Sequence, residues 1–285
     1  MIKYLRIYRP LNLLFIGIAQ WLCVYRLDVY ANLQSIYELG IYPLIGGTIA
    51  VAAFGYWVND FYDIERDRIN KPEKRTLWQF PKWLSWVHFV LFIGFAVICG
   101  LLLNYFFLGL FMFCIVLLWL YSMLLKDSPG IGNALIAILS FLSIYMLKWQ
   151  FVSIDPLLLI HFAALAGLLN FSREVVKDGE DIEGDKELGA KTIPIVFGKS
   201  FANKIVHFIL LFTISFVAIS LYYQRIYFKP PMNYLYWGYY LLFVIIPLYK
   251  LAVDVRYGED AEDYARFSMI IKYVLYTGIL SILFF

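Results

Sequence analysis

The sequence predicts an all-α, polytopic membrane protein with nine membrane-spanning helices. Three observations carry that prediction. Of the 285 residues, 62% are hydrophobic and 16% charged, with a mean hydropathy of +0.72, whereas soluble chains are roughly half apolar and about a quarter charged. The apolar residues fall into nine runs, each close to the roughly 20 residues that cross a bilayer. The basic residues alternate from one connection to the next, as the positive-inside rule requires.

In chain order the spans are 10–26, 41–60, 84–103, 105–125, 131–148, 156–172, 202–222, 234–252 and 267–285. The first follows Lys3, Arg6 and Arg9, as a signal peptide would. No small-x-small cleavage site follows it, and Asn12 and Gln20 interrupt the run, so it is read as a span. Asn104 alone separates the third and fourth spans, which therefore form a tight antiparallel pair. The two long polar stretches, 61–83 and 173–201, contain Pro72, Pro81, Gly179, Gly184, Gly189 and Pro194 and read as turns and short helices capping the mouth of the bundle. The chain is read as one domain, 1–285, with two four-helix halves (about 1–127 and 128–253) and an extra ninth helix.

Of the 24 Lys and Arg residues, only Arg26, Lys148, Arg225 and Lys229 fall on one side. The N-terminus is therefore expected in the cytoplasm of a cell membrane, the C-terminus outside, and the capped mouth on the cytoplasmic side. A net charge of +3 gives no argument for nucleic acid. Cys23, Cys99, Cys114, His88, His161 and His207 lie isolated in apolar runs without metal-ligand spacing and read as packing residues.

The organising stretch is Asn59-Asp60-Phe61-Tyr62-Asp63-Ile64-Glu65-Arg66-Asp67, at the end of the second span. On a helix, Asn59, Asp60, Asp63 and Asp67 share one face. Stacked carboxylates repel, so this face needs a compensating cation. An oxygen-only donor set suits Mg²⁺, which takes a few carboxylates together with water and phosphate oxygens. The pattern returns after the sixth span as Asp178, Asp181 and Asp185, and the same 118-residue offset relates Asp60 to Asp178, Asp63 to Asp181 and Asp67 to Asp185. Two matched carboxylate faces suggest two halves meeting around one shared site.

Several chemistries use such faces. A solvated interfacial charge run explains acidity but not matched spacing. A cation transporter carries its acids near the bilayer midplane, whereas these cluster at span ends. A lipid-binding scaffold with a degenerate site predicts binding without diphosphate release, which the intact acids disfavour. The remaining reading is diphosphate chemistry in the membrane. Mg²⁺ held by the acids neutralises the charge that develops as an allylic C–O bond breaks. Aromatic faces stabilise the allylic cation, and an interior rich in Phe, Tyr and Trp excludes water from it. Lys126, Arg173, Lys177 and Lys191 are candidates for binding the phosphates.

Two longer signatures sharpen this. The run Asn59-Asp60-x-x-Asp63-x-x-x-Asp67 is followed by Asn70-Lys71-Pro72. The run Arg173-Glu174-x-x-Lys177-Asp178-x-x-Asp181-x-x-Gly184-Asp185 is followed by Gly189-Ala190-Lys191-Thr192-x-Pro194. Together they resemble the paired motifs of the UbiA superfamily of intramembrane prenyltransferases. Arg9-Pro10-Leu11-Asn12 resembles that family's opening motif, and Tyr121-Ser122-x-x-x-Lys126 with Pro129 and Asn133 resembles its segment after the fourth span. The resemblance covers essentially the whole chain. It implies nine helices around a central cavity, Mg²⁺ dependence, and prenyl transfer from a polyprenyl diphosphate to a lipophilic acceptor. It assigns Asn59, Asp60, Asp63, Asp67, Asp178, Asp181 and Asp185 to metal and diphosphate, with Asp63, Asp67, Asp181 and Asp185 as the catalytic acids. Asn12, Tyr121, Lys126, Arg173, Lys177 and Lys191 then lie near donor or acceptor. The sequence departs from the family at Lys74-Arg75-Thr76, where many members read Arg-Pro. Residues 173–185 and 189–195 are most similar to the branch that adds the second ether-linked chain to geranylgeranylglycerol phosphate. Homogentisate, chlorophyllide and naphthoate prenyltransferases, which alkylate aromatic acceptors, have similar second motifs.

Overall fold

We describe a computed structural model of the chain over residues 9–28, 40–70, 82–227 and 233–284. Lys3, Arg6, Lys229 and the part of the first cap loop from Lys71 to Pro81 lie outside these residues. Among the described residues there is no strand, and nine helices are long and apolar enough to cross a membrane. They run Pro10–Leu27, Ile41–Tyr62, Trp83–Leu103, Tyr105–Met123, Ile131–Gln150, Pro156–Glu180, Lys199–Ile226, Tyr234–Tyr257 and Ala261–Phe284. The all-α, nine-span expectation therefore holds, with most boundaries displaced by a few residues. The described residues divide into two compact units.

One unit comprises residues 9–21 and 40–127. It contains the first part of α1 (Pro10–Leu27), then α2 (Ile41–Tyr62), the short α3 (Ile64–Asn70), α4 (Lys82–Leu103) and α5 (Tyr105–Met123), and ends on a single 3₁₀ turn, Leu125–Asp127. Helices α2, α4 and α5 pack on one another. In a lipid environment that packing rests on close backbone approach more than on burial from water. Two glycines show it. A Cβ at Gly47 would lie 2.2 Å from the Phe111 ring, and one at Gly100 would lie 2.6 Å from the Leu108 Cα. The tight α4–α5 turn is closed by Asn104, whose side chain accepts from the Phe107 amide at 3.1 Å and caps α5. On α1, Gln20 donates to Thr48 of α2 at 3.0 Å, so the buried amide finds a partner within the bundle.

The other unit comprises residues 22–28 and 128–284. Its elements are α6 (Ile131–Tyr145), α7 (Leu147–Gln150), α8 (Pro156–Glu180), α9 (Ile182–Glu187), α10 (Ile193–Phe197), α11 (Lys199–Tyr227), α12 (Asn233–Tyr240), α13 (Ile246–Asp254) and α14 (Ala261–Leu280), with a π turn at Leu241–Ile245 between α12 and α13. Helix α8 is the hub: α6, α11 and α14 all pack on it. It starts where Asp155 accepts from the Leu157 and Leu158 amides at 2.8 and 3.2 Å, with Pro156 opening its first turn. Its buried Leu165, Leu169, Val175 and Val176 join Tyr264 and Ile271 of α14 in one apolar core. Deep in this unit, the His161 ring nitrogen Nε2 lies 2.7 Å from the Tyr240 hydroxyl, which also accepts from Ser281 at 2.7 Å.

One expectation needs correction. Residues 173–180 are not part of a cap loop; they continue α8. Their charges suggest a span ending near residue 172, but Val175, Val176 and Gly179 form a buried face that keeps the last turns helical against the bundle. At about 1.5 Å per residue this 25-residue helix is about 37 Å long, roughly 7 Å more than a hydrocarbon core is thick. Residues 182–187 and 193–197 are short helices, as expected of the remainder.

Candidate functional site

Both acidic motifs are built the same way. Helix α2 ends at Tyr62, Asp63 follows with φ −90° and ψ 5°, and α3 resumes at Ile64. Helix α8 ends at Glu180, Asp181 follows with φ −96° and ψ 12°, and α9 resumes at Ile182. In both, four-residue backbone bonds meet at the central aspartate: Asp63 N to Asn59 O at 2.9 Å and Asp67 N to Asp63 O at 2.7 Å, then Asp181 N to Lys177 O at 2.9 Å and Asp185 N to Asp181 O at 3.1 Å. Each long helix thus bends at its central aspartate without losing register. The third acid of each motif, Asp67 or Asp185, is buried.

In the first motif Asp63 is the centre. It accepts from Asn59 Nδ2 at 2.8 Å and Arg66 at 3.2 Å, and it pairs with Lys126. Arg66 reaches onward to Asp127 at 2.6 Å. The 3₁₀ turn after α5 supplies both Lys126 and Asp127. Asp60 pairs with Arg9 at 2.7 Å. The Arg9 guanidinium also lies over the Tyr56 ring at 4.8 Å, and Asn12 donates to the Tyr56 hydroxyl at 3.4 Å. The N-terminal turn of α1 thereby clasps α2 one turn before Asp60. Tyr121 is half-buried in the last turns of α5.

In the second motif Asp178 accepts from Asn133 Nδ2 at 2.8 Å, which comes from the first turn of α6. Glu174 accepts from Lys177 at 3.3 Å and from Arg173 at 3.4 Å. The Arg173 Nε is buried and makes no hydrogen bond, a donor left over for an anion. Lys191 is exposed on the stretch between α9 and α10, apart from these pairs. Sequence reasoning missed the roles of Arg66, Asp127 and Glu174. Arg66 had a signal in its i+3 spacing from Asp63, but Asp127 and Glu174 read as ordinary interfacial charges.

Among the described residues, no three His, Cys, Asp or Glu side chains converge as a ready-made metal cage. The donor set nonetheless fits a hard divalent cation. Its ligand atoms are all oxygens, and Lys126, Arg66 and Arg9 already supply positive charge to the acids where an ion would. Mg²⁺ binds through one or two carboxylates and completes its shell with phosphates and water, so a closed protein cage is not required.

The sequence profile of the UbiA prenyltransferase family matches residues 12–275. The chain belongs to the UbiA prenyltransferase family. It is therefore a multi-pass membrane enzyme that transfers prenyl groups. Among this UbiA protein's relatives, digeranylgeranylglyceryl phosphate synthase of Thermococcus sibiricus is 32% identical over 216 residues, 71% of each chain. The synthase of Methanopyrus kandleri is 28% identical over 293 residues, covering 98% of this chain and 97% of its own. Two solved structures share the UbiA fold. A structure of digeranylgeranylglyceryl phosphate synthase superposes with a TM-score of 0.65 at 21% identity, covering 98% of this chain and 96% of the other. A UbiA homolog from Archaeoglobus fulgidus bound to GPP and Mg²⁺ gives 0.64 at 19% identity, covering 98% and 99%.

Proposed function

We propose that this UbiA prenyltransferase moves a geranylgeranyl group from its diphosphate to the free hydroxyl of geranylgeranylglycerol phosphate, at the cytoplasmic face of the cell membrane. The observation that carries this reading is the repeated helix end, in which a bent, register-keeping step presents Asp63 and Asp181 in the same local geometry. The names of the relatives support the acceptor, and the biased distribution of Lys and Arg supports the side of the membrane.

Asn59, Asp60, Asp63 and Asp67 with Asp178, Asp181 and Asp185 would hold Mg²⁺. When bound, Mg²⁺ neutralises the diphosphate and stabilises it as a leaving group. The chain's own residues do the rest. Lys126, now paired with Asp63, would be the cation free to turn to phosphate oxygens were Asp63 to hold Mg²⁺, while Arg66 has Asp127 as a second partner. Arg173 and Lys177 offer donors to the same kind of anion. The allylic C–O bond breaks and its electron pair leaves with the diphosphate. The acceptor oxygen then forms the new C–O bond, and its proton passes to the departing diphosphate. Asn12, Tyr121 and Lys191 are assigned to orienting donor or acceptor. The chain's many Phe, Tyr and Trp residues would supply the apolar surroundings that keep water from the cation.

The test is transfer of radiolabelled geranylgeranyl diphosphate by purified protein in nanodiscs with Mg²⁺. The acceptors offered are geranylgeranylglycerol phosphate, 4-hydroxybenzoate, dihydroxynaphthoate and homogentisate. Label entering the glycerol phosphate lipid is the expected result. Label entering an aromatic acid instead overturns the acceptor.

A further inference from the structure

Gly179 lies between Asp178 and Asp181 in the last turn of α8, and it is buried. At about 100° per residue it sits roughly 130° around the helix from the middle of the Asp178–Asp181–Asp185 face. A side chain there would point away from the carboxylates and into the bundle. That space is filled by the ring of Tyr264 from α14. A Cβ at Gly179 would lie 2.6 Å from Cε1, 2.8 Å from Cδ1 and 2.9 Å from Cζ of that ring. The α8 backbone therefore rests directly on an aromatic face.

The ring has little freedom to yield. Tyr264 is 1% exposed. Its hydroxyl donates to Asn203 Oδ1 of α11 at 2.9 Å, and Asn203 Nδ2 in turn donates to the Gly258 carbonyl at 2.9 Å. Lys199 lies 6.0 Å from the ring centroid and is itself fixed by donating to the Glu259 carbonyl at 2.6 Å. Two separate pieces of chain, α11 and the Gly258–Glu259 stretch, thus set where this ring stands, and the ring sets the height of the turn that carries Asp178 and leads into Asp181.

We propose that Tyr264, anchored by Asn203, is a positioning residue for the second acidic motif, and that Gly179 is glycine so that α8 can seat on it. The inference rests on the reading of Asp178 and Asp181 as metal-diphosphate ligands. It adds that metal affinity at this motif is controlled from the last helix, by a contact that touches neither metal nor substrate. A purely structural role for Tyr264 would change melting temperature and leave metal affinity alone.

The experiment measures Mn²⁺ binding by electron paramagnetic resonance. The full-length protein is first loaded with the unreactive donor analogue geranylgeranyl S-thiolodiphosphate. Turnover with Mg²⁺ is followed in parallel. Gly179→Ala is expected to weaken Mn²⁺ binding at least tenfold and to slow turnover about 10²-fold, the scale of a displacement near 1 Å. Adding Tyr264→Leu to Gly179→Ala makes room for the methyl group and is expected to return most of the affinity. Unchanged Mn²⁺ affinity in folded Gly179→Ala overturns the proposal, as does a double variant no better than the single one. If Gly179→Ala does not fold, Tyr264→Phe decides the matter: it keeps the ring and removes the anchor to Asn203. Severalfold weaker Mn²⁺ binding then supports positioning, and wild-type binding with a lowered melting temperature refutes it. Wild-type protein that binds no Mn²⁺ removes the functional reading itself, and this inference with it, a result distinct from any variant-specific outcome.

Discussion

Asp63→Asn separates stability from catalysis at the first motif. The Asp63–Lys126 pair is well buried, with side-chain exposures of 13% and 9%. Removing the carboxylate leaves two cations beside a neutral amide. Arg66 keeps Asp127 at 2.6 Å, so Lys126 alone is stranded, having lost its anionic partner among the described residues. Breaking one side of a buried pair costs about 3–5 kcal/mol. Because both groups retain some solvent, the lower end applies, about 3 kcal/mol, or a fall in apparent melting temperature on the order of 10 °C. Adding Lys126→Met removes the stranded charge and should recover most of that loss. Activity should behave differently. Asp63→Asn is expected to slow turnover by at least about 10³-fold, near 4 kcal/mol of transition-state stabilisation, and Lys126→Met should restore none of it. The assays are thermal unfolding in detergent and Mg²⁺-dependent diphosphate release, on the two single variants and the double. Near-wild-type turnover in Asp63→Asn would refute the metal assignment. A double variant as unstable as Asp63→Asn would refute the stranded-charge account.

Asn133→Leu removes the 2.8 Å donor to Asp178. Hydrogen bonds to charged groups are worth about 1.5–3 kcal/mol, so the Mg²⁺ concentration for half-maximal turnover should rise at least tenfold; an unchanged midpoint would show that Asp178 does not depend on Asn133. Gly100→Ala places a methyl 2.6 Å from the Leu108 Cα, where only backbone can give way. Overpacking of this kind costs about 1–3 kcal/mol, and a lowered melting temperature with unchanged Mg²⁺ dependence in the surviving folded fraction is the expected result.

Much of the fold was legible because a bilayer leaves so few options. A run such as 84–103, bounded by Asn104, has to be a helix of membrane length, and Asn104 is also the kind of residue that caps the next one. The acid faces were legible for a related reason: their spacing is a property of the helix on which they sit. What was not legible depended on partners distant in sequence. The charges of Arg173–Glu180 mask the short apolar face of Val175, Val176 and Gly179, whose packing partner, Tyr264, lies some 85 residues on. Nor does the sequence show that Arg66 bridges Asp63 to Asp127, or that Asn133 reaches Asp178, because a charge or amide at a span end reads as an interfacial residue until its neighbour is known.

The bent helix ends have a consequence for how such a protein can diversify. Because Asp63 is bonded back to Asn59 and forward to Asp67, and Asp181 back to Lys177 and forward to Asp185, the spacing of each acid set is written into one short piece of main chain. In the first motif those bonds lie wholly among Asn59, Asp63 and Asp67, whereas in the second the Ala190 amide also donates to the Asp185 carbonyl at 2.9 Å and braces the set from the stretch after Glu187. Changes beyond those braces leave the aspartate spacing in place, so the acid sets and the rest of each connection can evolve at different speeds.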